Sequence, residues 1–146
     1  MKKHDKMKLE IESKSINEGF ARAAVAAFAA RLDPSLEELG DIKTAVSEAV
    51  TNCIVHAYPD SSGLVQINCR VFEDYIEIKI RDYGRGIADI ARAREPMYTT
   101  GGSDRSGMGF TVMESFMDRV EVISQPGRGT TVRMTKQIEQ VKAAVG

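Results

Sequence analysis

The sequence predicts an α+β fold, a two-layer α/β sandwich whose mixed, mostly antiparallel sheet carries its helices on one face. Three observations predict it. Segments that alternate apolar and charged residues come in close pairs joined by short turns. Longer segments, with apolar residues every three or four positions, lie between those pairs. The resulting order is β-α-α-β-β-α-β-β, with helices grouped between strand pairs, which argues against a doubly wound parallel sheet.

Each element has its own signal. Lys8-Leu9-Glu10-Ile11-Glu12 alternates and reads as a short half-buried strand. Ser15-Ile16-Asn17-Glu18 has the form of a capping box, in which serine and glutamate each satisfy the other's backbone amide. A helix follows to about Leu32, with Phe20, Ala24, Ala27 and Phe28 expected on its inner face. Pro34 pushes Asp33 out of the helical region and ends it. Ser35 caps a second helix from Leu36 to about Ala57, with Leu39, Ile42, Val46, Val50 and Cys53 as its apolar stripe. Pro59 to Gly63 is turn chemistry. Leu64 to Phe72 and Tyr75 to Ile80 read as a hairpin around Glu73-Asp74, with Ile76, Ile78 and Ile80 on one face. Ile87 to Arg94 reads as a short helix, and 95–106, with Pro96, Gly101 and Gly102, as a mobile loop. Gly107 to Asp118 reads as a helix with Phe110, Met113 and Met117 inward. Val120 to Ser124 and Gly129 to Thr135 close the fold as a hairpin. The tail from Lys136, and 137–146 above all, is expected to fray.

A chain of 146 residues suits one domain over 1–146, with a real core. Its net charge of −1 supplies no basic field for nucleic acid. No uncharged run approaches the ~18 residues of a membrane helix. The basic start, Met1 to Lys6, leads into no apolar signal core, so a cytoplasmic protein is expected. Cys53 and Cys69 read as two buried thiols rather than a disulfide framework. His4 and His56 have no second ligand at a zinc-like spacing.

Four segments carry candidate chemistry. Glu48, Asn52 and His56, four residues apart, form one polar stripe on the second helix. That stripe is either a solvated face or a site, and it lacks the lysines and arginines usual on an exposed face. Asp82-Tyr83-Gly84-Arg85-Gly86 follows an Ile-rich strand directly. It is either a turn or a carboxylate at a strand end, with Gly84 and Gly86 admitting a ligand. Gly107-Met108-Gly109 opens a helix, where unpaired amides make either a glycine-rich cap or an anion site with Arg105 beside it. Gly129-Thr130-Thr131 is first a hairpin turn, and Thr130 can also present a hydroxyl beside Asp82 if the two strands are neighbours. There is no G-x-x-x-x-G-K-[ST] loop and no G-x-G-x-x-G after a strand.

Taken together and in order, E-x-x-x-N-x-x-x-H, D-x-G-x-G, a loop ending in G-x-G and a G-T-T turn resemble the ATP-binding domain shared by gyrase, Hsp90, histidine kinases and MutL. This is the GHKL superfamily, and the likeness runs from about residue 40 to 135. Within it, Ser47 to Asn52, Arg81-Asp82 and Arg105 to Thr111, with Met113-Glu114 and Phe116-Met117-Asp118, resemble the sporulation anti-sigma kinases of endospore-forming bacteria. Asn17 to Arg22 and Leu32-Asp33-Pro34 extend the match over nearly the whole chain.

The resemblance implies the Bergerat ATP-binding fold and a dimeric serine kinase. Such a homodimer holds a sporulation sigma factor of the sigma F type and phosphorylates an anti-anti-sigma antagonist protein. Asn52 would present its amide oxygen to Mg²⁺, and Glu48 would orient or deprotonate the acceptor hydroxyl. Asp82 would accept from the adenine amino group, with Thr130 supporting it and Gly84 and Gly86 letting the chain pass close to the base. Gly107 and Gly109 would give amides to the phosphates, Arg105 would neutralise a terminal phosphate, and 95–106 would be a lid. Arg22 would belong to the partner-facing surface, where composition alone makes it an ordinary surface arginine. A histidine kinase would need a phosphoacceptor histidine on a separate helix, which neither His4 nor His56 provides. Two alternatives remain at this point: a stress-response anti-sigma B kinase, and a non-catalytic, nucleotide-gated module that sequesters a sigma factor.

Overall fold

The computed structural model describes residues 4–87 and 109–139. Its elements are β1 (Asp5–Glu12), α1 (Ile16–Ala29) with a 3₁₀ turn at Ala30–Leu32, α2 (Leu36–Asn52) with a π turn at Cys53–Ala57, β2 (Leu64–Val71), β3 (Tyr75–Asp82), α3 (Gly109–Phe116), β4 (Arg119–Gln125) and β5 (Gly129–Gln137). The five strands stand in the order β1-β2-β3-β5-β4. Each neighbouring pair is antiparallel, so the sheet is not mixed.

The strand period decides which face is covered. Ile67 lies opposite Ile80, and Ile80 opposite Val132, so one face is a continuous apolar row. Val65, Ile67, Cys69, Val71, Ile76, Ile78, Ile80, Val132 and Met134 are all buried there under the helices. The other face is mostly polar, as an antiparallel sheet open to water on one side should be. Its buried charged member is Glu77, which accepts from Arg133 Nε at 2.8 Å.

The helices follow their caps. Ser35 Oγ accepts from the Glu38 amide at 3.0 Å, and Glu38 Oε1 accepts from the Ser35 amide at 2.9 Å, so this capping box is complete. Ile42, Ala45, Val46, Ala49 and Val50 then face the core. The packed helix layer runs from α1 through α2 to α3.

Four expectations need correction. The Ser15 segment is no capping box: Ser15 itself is helical (φ −53°, ψ −36°), and the Glu18 carboxylate instead accepts from Arg22 Nη1 at 2.7 Å. The buried face of α1 is Ala21, Val25, Ala26, Phe28 and Ala29, whereas Phe20 is 55% exposed and Ala27 is exposed too. Phe20 to Ala30 is apolar except at Arg22, so period alone could not choose a face. The second helix does not run regularly to Ala57, because its last turn widens to i+5 hydrogen bonding after Asn52. Finally, β5 continues to Gln137 and Ile138 is 2% exposed, so the chain is anchored through these positions. The expected helix at 87–94, the lid at 95–106 and the tail at 140–146 lie outside the described residues, apart from Ile87.

Candidate functional site

The site forms where the inward row of β3 ends. Ile76, Ile78 and Ile80 put Asp82 on the same face by strand alternation, so a carboxylate follows three isoleucines into the interior and is 5% exposed. Its partner in β5 is Thr130. Asp82 Oδ1 accepts from the backbone amides of Gly84 at 3.0 Å and Thr130 at 3.2 Å. Oδ2 faces the Cys53 thiol of the π turn at 3.7 Å, a weak donor. Burial raises the Asp82 pKa, and the two amide bonds oppose that shift without cancelling it. Burial, then the Asp82 charge, pushes the Cys53 thiol well above its ordinary range, so it stays a neutral donor.

The sequence suggests that Thr130 can present a hydroxyl beside Asp82 if the two strands are neighbours, and they are. The structure places it beside Asp82, but the support comes from its backbone amide. Its Oγ1 lies 2.8 Å from Ser124 Oγ. Ser124 donates its proton to Gly129 O at 3.1 Å and accepts from the Ile87 amide at 2.7 Å, so the Thr130 hydroxyl is the donor between them. The sequence gives Ser124 no role, and the observed register, with Gln125 opposite Gly129, sets it opposite Thr130.

The glycines of the D-x-G-x-G turn fit the packing. A Cβ on Gly84 would strike the Ala57 carbonyl, the same carbonyl that accepts from the Arg85 amide at 3.3 Å. Gly86 has φ +78° and would strike the Gln125 carbonyl. Tyr58 clamps the same corner, accepting from the Tyr83 amide at 2.6 Å and donating to Leu64 O at 2.8 Å. Cys53 and Tyr58 had no signal in the sequence beyond their nearness to Asn52.

The polar stripe of α2 leads to this corner. Glu48, Asn52 and His56 are each half-buried, so the stripe is not an open solvated face. Asn52 abuts the start of α3: a Cβ on Gly109 would lie 3.1 Å from both its Nδ2 and its Oδ1. The structure therefore brings Asn52 and Gly109 together, and Asp82, Gly84, Gly86 and Thr130 together. His56 has its pKa lowered, first by burial and then by the Arg85 charge, so it is neutral at pH 7. Arg22 stands apart from the strand-end corner, on α1, and donates to Ser47 Oγ of α2 at 3.2 Å as well as to Glu18. Arg105 and Gly107 lie outside the described residues. No helix among the described residues is long and apolar enough to cross a membrane.

A buried carboxylate at a strand end, a half-buried polar stripe on α2 and a helix that opens at Gly109 beside Asn52 are the arrangement expected from the resemblance to ATP-binding domains of the Bergerat type. Comparison with known proteins agrees. The family model described as "Histidine kinase-like ATPase domain" matches residues 12–136. Among solved structures, the RsbU and RsbW domains of a Mycobacterium tuberculosis protein superpose with a TM-score of 0.67 at 16% identity, over 92% of this chain and 32% of that one. A histidine kinase domain from Erythrobacter litoralis gives 0.58 at 22% identity, over 86% of this chain and 63% of that one. Both show the fold alone. The curated relatives are nearer. An anti-sigma F factor of Caldanaerobacter subterraneus is 55% identical over 94% of this chain and 97% of its own length. One of Clostridium perfringens is 55% identical over 92% and 97%. The chain belongs to the histidine kinase-like ATPase domain family and, within it, to the anti-sigma F factors.

Proposed function

We propose that this protein is an ATP- and Mg²⁺-dependent serine kinase that also holds a sporulation sigma factor. Its phosphate acceptor would be a serine on an anti-anti-sigma antagonist protein. The observation that carries the nucleotide reading is Asp82. One of its oxygens accepts from two amides, while the other, among the described residues, meets only a thiol. A buried carboxylate held this way has one lone-pair direction left for a strong donor, such as the exocyclic amine of adenine.

The remaining roles follow from position. Asn52 would hold Mg²⁺ through its amide oxygen. Among the described residues no group of three or more His, Cys, Asp or Glu side chains could hold a metal. A single protein oxygen suits an ion bound mainly by phosphates and water. When bound, Mg²⁺ would offset the phosphate charge. Glu48, one turn before Asn52, would take the proton of the acceptor hydroxyl. Gly109 and Gly107 would offer amides to the phosphates, with Arg105 countering their charge. Gly84 and Gly86 shape the base side of the pocket, and Thr130 keeps Asp82 aimed. Arg22 would contact the sigma factor, the antagonist or both. The 55% identity to anti-sigma F factors favours the sporulation reading over the stress-response one.

The test is direct. The purified chain should transfer labelled γ-phosphate to the antagonist encoded in the same genome, and it should retain the sigma factor on a column. Retention without transfer would refute the kinase reading and leave a nucleotide-gated sequestering module, and the absence of both would refute the whole proposal.

A further inference from the structure

The β2–β3 ladder stops one bonded pair short of where its register would carry it. Phe72 N donates to Tyr75 O at 2.9 Å, which marks these two as a bonded pair at the hairpin end. Bonded pairs recur at every second position of an antiparallel ladder. The register sets Arg70 opposite Glu77, Asn68 opposite Lys79, Gln66 opposite Arg81 and Val65 opposite Asp82. The next bonded pair in that series is Leu64 with Tyr83, to be closed by Tyr83 N donating to Leu64 O. However, β3 ends at Asp82. Tyr58 Oη stands between the two groups, accepting from Tyr83 N at 2.6 Å and donating to Leu64 O at 2.8 Å. The hydroxyl takes the place of the ladder bond and holds the two strands apart beside the carboxylate.

The π turn delivers that hydroxyl. Residues five apart on a regular α-helix point about 140° away from each other. Hydrogen bonding from i to i+5 stacks such residues on one side instead. Cys53–Ala57 is wound in this second way, so Cys53 and Tyr58 reach the same corner. The Cys53 thiol faces Asp82 Oδ2 at 3.7 Å, and Tyr58 takes the amide of the following residue. Ala57 O takes the Arg85 amide at 3.3 Å, and Gly84 lies on Ala57 with no room for a Cβ. Tyr58 is itself fixed in place. A Cβ on Gly63 would strike its ring, and the Gly63 amide is held by Ser13 Oγ at 2.9 Å. Of the three amides that follow Asp82, those of Tyr83 and Arg85 end on Ala57 and Tyr58, and that of Gly84 ends on Asp82 Oδ1.

We infer that Tyr58 is a positioning residue of the nucleotide site, whose hydroxyl wedges the end of the β2–β3 ladder open and so aims the Asp82 carboxylate at the base. The inference rests on the reading of Asp82 as the acceptor for the adenine amine. With the hydroxyl in place, Tyr83 is kept off β2, the turn lies on Ala57, and Gly84 N reaches Oδ1 at 3.0 Å. Oδ2 is then the oxygen turned to the ligand. Without the hydroxyl, Tyr83 N and Leu64 O are left to bond each other. The ladder closes by one pair, and the turn and its carboxylate are drawn out of aim. Glu48 and Asn52 precede the π turn, on the regular part of α2, so the effect belongs to the base end of the site and not to the phosphate end.

Tyr58→Phe tests this, because it removes the hydroxyl and keeps the ring. Calorimetric titration below the thermal transition should show ATP affinity lowered at least about fivefold, the scale of one misaimed hydrogen bond. Phosphotransfer at saturating ATP should stay within about twofold of wild type. A residue that only props the fold would lower the thermal transition and leave the affinity of the folded protein unchanged. The decisive measurement is a double-mutant cycle with Asp82→Asn. Tyr58 acts through the carboxylate, so in the Asp82→Asn background the loss of the hydroxyl should alter ATP affinity by less than about twofold. Unchanged ATP affinity in Tyr58→Phe overturns the inference, and so do two losses that simply add in the double variant. A wild type that binds no ATP removes the nucleotide reading and the inference together, whereas normal wild-type binding matched by Tyr58→Phe removes the inference alone.

Discussion

Asp82→Asn separates what the carboxylate does for the fold from what it does for a ligand. Asparagine can keep Oδ1 where it is, accepting from Gly84 at 3.0 Å and Thr130 at 3.2 Å. Its Nδ2 then replaces Oδ2, turning an acceptor into a donor on the side that faces the proposed adenine amine. Losing a charge-assisted hydrogen bond costs about 1.5–3 kcal/mol, and two opposed donors add to it, so ATP affinity should fall more than about tenfold. Stability should move the other way. Burial raises the folded-state pKa of Asp82 above 3.8. A raised carboxylate contributes stability in its protonated form below 3.8, and that contribution is lost as pH rises through the folded value. At pH 7 the ionised group is therefore a burden that asparagine removes. The variant should melt no lower than wild type at pH 7, and the difference should narrow as pH falls toward 3.8. Calorimetric ATP titration and thermal melts across pH are the assays. An unchanged ATP titration would refute the nucleotide role, and a melt far below wild type would show that the charge holds the corner together.

Glu48→Gln keeps the shape of the half-buried side chain, so ATP binding should stay within a few-fold while phosphotransfer drops by roughly 10²-fold or more. Near-normal transfer rates in a single-turnover assay would leave Glu48 a packing residue. Gly84→Ala drives a methyl into the Ala57 carbonyl. It should cost about 1–3 kcal/mol in urea unfolding and weaken ATP binding as well, whereas an unmoved midpoint would mean that the corner yields. Arg22→Glu breaks the bonds to Glu18 and Ser47 and sets like charges four apart, a stability loss of only about 0.2–0.5 kcal/mol for the pair. Binding to the sigma factor, the antagonist or both should weaken by at least about 2 kcal/mol, and wild-type pull-down of both would return Arg22 to the ordinary surface.

Much of this was legible from residues alone, and the exceptions share a cause. The element order, the Ser35 cap and the Ile76-Ile78-Ile80 row come from strong local contrast, and all were found. The inner face of α1 was missed because an almost uniformly apolar helix has no contrast, and only its neighbours choose the side. Ser15 lost its cap because Glu18 found a better partner in Arg22. The tail was underestimated although Lys136-Gln137-Ile138 continues the alternation of β5, which Ile138 extends into the core. At the candidate site, Asp82, Gly84, Gly86 and Thr130 were singled out because their types are unusual at their spacing, and the structure brings these four together. Cys53, Tyr58 and Ser124 were not, since each reaches the site through at least one hydrogen bond to a distant segment: Cys53 to Asp82, Tyr58 to Tyr83 and Ser124 to Ile87. Thr130 was expected beside Asp82 and lies there, and its contact to the carboxylate is made by the backbone amide, which a motif of side chains does not specify.

The Asp82–Thr130 contact also bears on when the protein can begin to act during its synthesis. Asp82 and the residue that fixes its carboxylate are separated by 48 positions, and β5 pairs with β3 only after β4 has been made. Until the last hairpin leaves the ribosome, the carboxylate lacks one of its two amides and β3 has an open side. A nascent chain ending before Thr130 should therefore ignore ATP even though Glu48, Asn52 and Asp82 are all present. Competence would arrive late and abruptly, with the final strand, as closure between distant segments does in sheets of this kind.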